Sequence, residues 1–158
     1  MDKIKLGISS CLLGENVRYD GRHKLDHYLK DKLGKIADWV SVCPEVECGL
    51  SVPREAMCLT GSPESPRLVT RNSNIDHTDR MMKWLGKRLR ELEKEGLSGF
   101  VFKSNSPSCG LNNVLSEKGM GIFAKEFTRR FKLMPVEDND RLQDDKIREN
   151  FIERICKR

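Results

Sequence analysis

Short apolar segments alternate along the chain with longer segments in which apolar residues recur every three or four positions. The short segments are typical of buried strands and the longer ones of amphipathic helices. The predicted strands are residues 4–9, 39–43, 68–70, 99–103 and 133–136, and the predicted helices are residues 27–36, 76–95, 121–131 and 140–156. This alternation predicts one α/β domain over residues 1–158, with a mostly parallel, Rossmann-like sheet flanked by helices.

The segment from residue 44 to residue 66 interrupts the alternation. It is punctuated by proline and glycine and has no regular apolar period. These properties are typical of a functional loop, and we expect one between the second strand and the long helix.

Charge and composition narrow the classes of function. The chain carries 29 Lys and Arg against 24 Asp and Glu, a net charge of +5, which gives a modest preference for anionic ligands. Aromatic residues make up only 6%, too few for a row of base-stacking platforms. No apolar segment approaches the ~20 residues of a membrane helix, and no signal-peptide core precedes the first strand. We therefore expect a cytoplasmic protein that does not enter the membrane.

Six cysteines in a chain without a secretion signal point to metal binding or thiol chemistry, because disulfides are rare in a reducing compartment. Cys11 lies two residues past the first predicted strand, Cys43 ends the second, and Cys109 lies in the loop after the predicted strand at residues 99–103. Ligands of a parallel sheet bind beyond the carboxyl ends of its strands. These three cysteines are therefore predicted to converge at one edge of the sheet.

Three converging thiolates allow more than one kind of site. Structural zinc takes four ligands, often in paired Cys-x-x-Cys motifs, and the chain has no such pair. An iron–sulfur cubane usually takes four cysteines, so three would leave one iron open to a substrate. The residues alone leave an open cluster, zinc, thiol catalysis and plain buried cysteines as alternatives.

Three ordered motifs carry a family resemblance: SSCLLGENVRYDG at residues 9–21, VCPEVECGLSVPRE at residues 42–55 and KSNSPSCG at residues 103–110. Together with the terminal RLQDDKIRENFIERI, they resemble the thiouracil desulfidases, also called thiouracil desulfurases. The resemblance implies a 4Fe–4S cluster bound by Cys11, Cys43 and Cys109, with the fourth iron open to the sulfur of the substrate. Cys48 could replace one of these ligands or cap the fourth iron, but it is left out of the ligand set because the family usually has a small residue there.

The resemblance also implies the reaction, a non-redox replacement of a thiocarbonyl sulfur by oxygen with release of hydrosulfide. Glu45 of the Cys-Pro-Glu motif and Ser106 of the Ser-Pro-Ser-Cys motif are the implied catalytic residues. Glu47 is an alternative base, and Ser104 and Ser108 are alternatives to Ser106.

The implied substrates are small thiolated pyrimidines, and we expect 4-thiouracil or 4-thio-UMP in preference to 2-thiouracil. Arg18 or Arg54 could hold a substrate phosphate, with a structural salt bridge as the alternative for both. The chain is similar to the stand-alone form of the family, a single iron–sulfur desulfidase domain, so tRNA is not the expected substrate. Two other functions remain open: a sulfur carrier that forms a persulfide on Cys109, and a metal-stabilised RNA-binding module.

Overall fold

A computed structural model describes residues 2–112, 114 and 119–158. In chain order the strands are β1 (Ile4–Ser9), β2 (Ala37–Val42), β3 (Met57–Ser62), β4 (Ser65–Thr70), β5 (Gly99–Phe102) and β6 (Val136–Asp138). The α-helices are α1 (Pro44–Glu47), α2 (Thr78–Glu95), α3 (Ile122–Arg130) and α4 (Asp145–Cys156). Shorter 3-10 turns are Ser10–Leu13, Leu33–Lys35 and Arg141–Gln143, and a π-helical turn is Tyr28–Lys32.

Four of the strands form a parallel sheet in the order β2–β1–β5–β6. Gly7 in β1 pairs with Val40 in β2 and with Phe100 in β5. A side chain at Gly7 would place its Cβ 2.2 Å from a ring carbon of Phe100, so glycine lets the two central strands pack here. The predicted α/β fold with a parallel sheet and flanking helices is confirmed.

No helix within the described ranges is long and apolar enough to cross a membrane.

The two faces of this sheet bury separate apolar cores, because successive side chains of a strand point to opposite sides. On one face Phe100 and Phe102 stack with 4.4 Å between ring centroids. They also meet Phe123 and Phe127 of α3. On the other face Val101 belongs to a cluster with residues of β1 and α4. The two cores stabilise the sheet from both faces, and the carboxyl ends of its strands are left for the loops that follow them.

The segment from residue 44 to residue 66 is not the long loop that its sequence predicted. It forms the short helix α1 and, with the residues that follow, the antiparallel hairpin β3–β4, in which Leu59 pairs with Leu68. Both leucines are buried in the same core as residues of α2. The hairpin is stabilised by pairing between its two strands and by burial of these leucines. Neither contribution is visible in a short stretch of sequence that Pro63 and Pro66 interrupt.

Two other predicted elements differ in kind or position. The predicted helix 27–36 is a π-helical turn followed by a 3-10 turn, with Leu29 and Leu33 buried as the pattern required. The predicted strand 133–136 lies instead at Val136–Asp138. Leu133 is 87% exposed, and Pro135 has no backbone N–H to donate to a sheet, so the strand begins after the proline.

Candidate active site

A cavity of about 630 Å³ opens at the carboxyl ends of β1, β2 and β5. The loops that follow these strands line it, and Cys11, Cys43 and Cys109 all lie on its wall. Cys11 is in the 3-10 turn after β1, Cys43 lies between β2 and α1, and Cys109 is in the loop after β5. The three cysteines predicted from strand ends therefore meet in one place.

None of the three thiols is in a disulfide. Burial raises the pKa of the Cys43 thiol to about 11 and that of the Cys109 thiol well above its ordinary value. Negative charge on Cys11 contributes to the raised pKa of Cys43, and negative charge on Cys11 and Cys43 contributes to that of Cys109. Three neighbouring thiolates therefore need a compensating cation, and thiolates are soft ligands that suit iron or zinc.

The loop that carries Cys109 is fixed by hydrogen bonds with two groups, the Ser106 side chain and the Gly121 backbone. Ser106 Oγ accepts hydrogen bonds from the backbone N–H groups of Ser108 and Cys109, each at 3.1 Å. The backbone N–H of Gly121 donates to Gly110 O at 2.7 Å. A Cβ on Gly121 would lie 2.5 Å from the carbonyl carbon of Ser108, so this close approach requires glycine.

Glu45 lines the same cavity. It is the second residue of α1 and lies two positions after Cys43. Arg54 Nε donates to Glu45 Oε1 at 2.9 Å, and Ser108 Oγ donates to Glu45 Oε2 at 3.0 Å. The side chain of Glu45 is 13% exposed and that of Arg54 is 8% exposed. The structure thus brings the predicted base together with an arginine and with a serine of the Cys109 loop.

Glu47 and Cys48, the sequence alternatives for base and ligand, are not part of the cavity lining. Glu47 Oε2 accepts a hydrogen bond from the backbone N–H of Cys43 at 2.9 Å, and Glu47 Oε1 lies 3.0 Å from Arg88 Nε. Cys48 Sγ donates to the backbone carbonyl of Glu45 at 3.3 Å. Both side chains therefore hold α1 in place.

Basic side chains surround the cysteines. Those on the cavity wall are Arg18, Lys24, Arg54, Arg71 and Lys103. Arg18 Nε is buried and has no hydrogen-bond partner among the residues that the structure describes. Lys103 Nζ donates to the backbone carbonyl of Ser104 at 2.7 Å. Burial lowers the pKa of the Lys103 ammonium. The wall is therefore electropositive as well as rich in thiols.

Sequence reasoning missed three of these basic residues. Lys103 ends a predicted strand, so the rule that located the cysteines could have located it as well. Arg71 follows β4, and no local signal showed that this hairpin reaches the cavity. The backbone N–H of Lys24 donates to Cys11 O at 2.9 Å, a contact between separate segments that only the fold reveals.

The fold and the site define a class: an α/β protein with three cysteines and a glutamate on one cavity at the carboxyl edge of a parallel sheet. The family model described as 2-thiouracil desulfurase matches residues 6–139, which include all four of these residues. The chain belongs to this family, and the predicted resemblance is confirmed.

Two known proteins are similar to this chain over most of its length. The uncharacterized protein YbbK of Bacillus subtilis (strain 168) is 35% identical, with 74% of this chain and 85% of YbbK covered. Among solved structures, the 4Fe–4S-dependent thiouracil desulfidase TudS is 32% identical with a TM-score of 0.68. That match covers 90% of this chain and 94% of the TudS chain, and it supports the same α/β fold.

Proposed function

We propose that the protein is an iron–sulfur desulfidase that replaces the thiocarbonyl sulfur of a thiolated pyrimidine by oxygen. The observation that carries this proposal is the cavity on which Cys11, Cys43, Cys109 and Glu45 lie together. Membership of the 2-thiouracil desulfurase family supports it. So does the similarity to TudS, which is named as a 4Fe–4S-dependent thiouracil desulfidase.

The proposed cofactor is a 4Fe–4S cluster bound by Cys11, Cys43 and Cys109, with one iron left open. The donors fit this group, because cysteine thiolates bind such clusters and all three line one cavity. Among the described residues no three His, Cys, Asp or Glu side chains form a ready-made group for a single metal ion, so the fit to a cluster rests on the shared cavity and on the soft sulfur donors. When bound, the cluster supplies a Lewis acid suited to the soft sulfur of the substrate.

Glu45 carries the proton transfers of the proposed reaction. Its carboxylate takes a proton from water as the water oxygen bonds to the thiocarbonyl carbon, and it returns a proton as the carbon–sulfur bond breaks. Water and thiocarbonyl then give a carbonyl, hydrosulfide and one proton, and no electrons are exchanged. Glu45 lines the cavity beside the cysteines, as this role requires.

Ser106 is the proposed hydrogen-bond donor to the bound pyrimidine. Its oxygen already accepts two backbone N–H groups, which leaves the hydroxyl hydrogen available to a substrate oxygen or nitrogen. Ser106 also lines the cavity. The same side chain thus shapes the Cys109 loop and offers a donor to the substrate.

A nucleotide, 4-thio-UMP, is the finer proposal for the substrate. Arg18 is the residue assigned to the phosphate, because its buried Nε has no partner among the described residues. Arg54, the other sequence candidate, donates to Glu45 instead. The cavity of about 630 Å³ also has Lys24 and Lys103 on its wall, which adds positive charge for an anionic substrate.

Anaerobic purification and cluster reconstitution, followed by iron and acid-labile sulfide analysis, test the cofactor. About four irons and four sulfides per chain are expected. Hydrosulfide release is then measured with 4-thiouracil, 2-thiouracil and 4-thio-UMP, and the 4-thio compounds are expected to react faster. A protein that takes up no iron would overturn the proposal, and sulfur transfer without iron would favour a persulfide on Cys109. A loaded cluster with no hydrosulfide from any substrate would show that the reaction is wrong.

A further inference from the structure

The two oxygens of the Glu45 carboxylate have different partners. Oε1 accepts a hydrogen bond from Arg54 Nε at 2.9 Å and lies 2.9 Å from Arg54 Nη2. Oε2 accepts one hydrogen bond, from Ser108 Oγ at 3.0 Å. An ionised carboxylate has about four lone-pair sites. The guanidinium therefore occupies one oxygen, and the other, which accepts only from Ser108 among the described residues, keeps a lone pair available to water or substrate.

Arg54 is itself fixed by groups that belong to the protein. Its Nη1 donates to Ser51 O at 3.1 Å and its Nη2 donates to Val17 O at 2.9 Å. Its backbone N–H donates to Tyr19 O at 2.8 Å. Every guanidinium nitrogen thus donates to a protein acceptor, and the side chain is 8% exposed. This arrangement leaves Arg54 poorly placed to bind a substrate phosphate and well placed to orient Glu45.

We infer that Arg54 is a positioning residue, which holds Glu45 Oε1 so that Oε2 is the oxygen that exchanges protons in the cavity. This inference rests on the proposed function, in which Glu45 is the base. A guanidinium presents its N–H groups as a rigid planar fork, and a lysine ammonium does not. Misplacement of a catalytic group by about 1 Å can cost roughly 100-fold in rate, so the orientation of this carboxylate matters to turnover.

A set of variants of the cluster-loaded protein tests the inference. Arg54→Ala is expected to lower kcat roughly 100-fold, with little change in KM and with the iron content and visible spectrum retained. Added guanidinium ion is expected to restore part of the lost kcat of Arg54→Ala. The Arg54→Lys variant is expected to be nearly as slow as Arg54→Ala. Arg90→Ala is the matched control, because Arg90 is an exposed arginine of α2. It is expected to match the unmodified protein in rate and iron content.

A double variant separates positioning from other roles. If Arg54 acts through Glu45, then Arg54→Ala causes no further loss of kcat when it is added to Glu45→Gln. Additive losses, a raised KM with normal kcat, or a rate equal to that of Arg90→Ala would each overturn the inference. So would loss of iron from both Arg54 variants even with guanidinium present, because that result assigns Arg54 to the scaffold. Full activity in Glu45→Gln alone would instead refute the proposed base.

Discussion

Glu45 and Glu47 lie two residues apart in the same short helix, yet they face two different regions of the molecule. Glu45 faces the cavity and contacts Arg54 and Ser108. Glu47 faces α2, where it pairs with Arg88, and it accepts the backbone N–H of Cys43. An extended segment would place both side chains on one face, whereas residues i and i+2 of a helix do not face each other. The local conformation of α1 therefore decides which carboxylate can meet a substrate.

The cysteines give the largest expected contrast between these two regions. Single replacement of Cys11, Cys43 or Cys109 by serine is expected to abolish iron retention and hydrosulfide release, because each supplies one proposed ligand. Cys48→Ser is the matched control on the α2 side, because Cys48 lies outside the cavity lining, donates to the Glu45 carbonyl and packs against the core. It is expected to keep its iron. Iron analysis after reconstitution decides the point, and full iron content in Cys109→Ser would contradict the ligand set.

The two glutamates give the next contrast. Glu45→Gln is expected to lower kcat by roughly 100-fold to 10,000-fold, the usual contribution of a general acid–base group. Glu47→Gln is expected to keep nearly the full rate and to lose about 1 kcal/mol of stability, because it weakens the contacts with Cys43 and Arg88. Steady-state kinetics and thermal unfolding of both reconstituted variants measure these effects. A large loss of kcat in Glu47→Gln with a normal rate in Glu45→Gln would contradict the roles assigned to the two glutamates.

Two serines of the Cys109 loop, Ser106 and Ser108, allow a finer comparison within the cavity. Ser108 contacts the Glu45 carboxylate and Ser106 contacts backbone N–H groups. Ser108→Ala is expected to lower kcat about 10-fold or more, as removal of a hydrogen bond to a charged group usually does, with iron content unchanged. Ser106→Ala is expected to lower both kcat and iron content, because this hydroxyl serves the substrate and the loop. Kinetics normalised to iron distinguish the two, and identical behaviour would contradict the distinction.

The smallest expected effect concerns the substrate, not the helix. Arg18→Ala is expected to raise the KM for 4-thio-UMP about 10-fold by removing a charge-assisted hydrogen bond, and to leave the KM for 4-thiouracil unchanged. Arg22, an exposed arginine outside the cavity lining, provides the control. Equal changes in KM for the base and the nucleotide would show that Arg18 does not recognise the phosphate.

The convergence of the cysteines could be predicted from the sequence because it depends only on where strands end. Cys11, Cys43 and Cys109 each follow an apolar segment, and parallel strands bring those positions to one edge. The partner of Glu45 could not be predicted in this way. Arg54 lies nine residues further along, in a segment that the sequence presents as an irregular loop, and its position depends on contacts with Val17 and Tyr19.

The same limit applies to the hairpin β3–β4. Its order comes from pairing with a second strand and from burial of Leu59 and Leu68, and neither is a property of a short sequence window. The opposite roles of the two glutamates were also hidden. They follow from one helical turn in a segment of only four residues, too short to show a helical period.

The hydrogen bond between Gly121 and Gly110 has a consequence for how this protein can evolve. It fastens the residue after Cys109 to the residue before α3, so the Cys109 loop is tied to the start of that helix. A Cβ at Gly110 would lie 2.9 Å from Ser106 O, and a Cβ at Gly121 would lie 2.5 Å from the carbonyl carbon of Ser108. Both positions are therefore expected to stay glycine in any descendant that keeps Cys109 in this place.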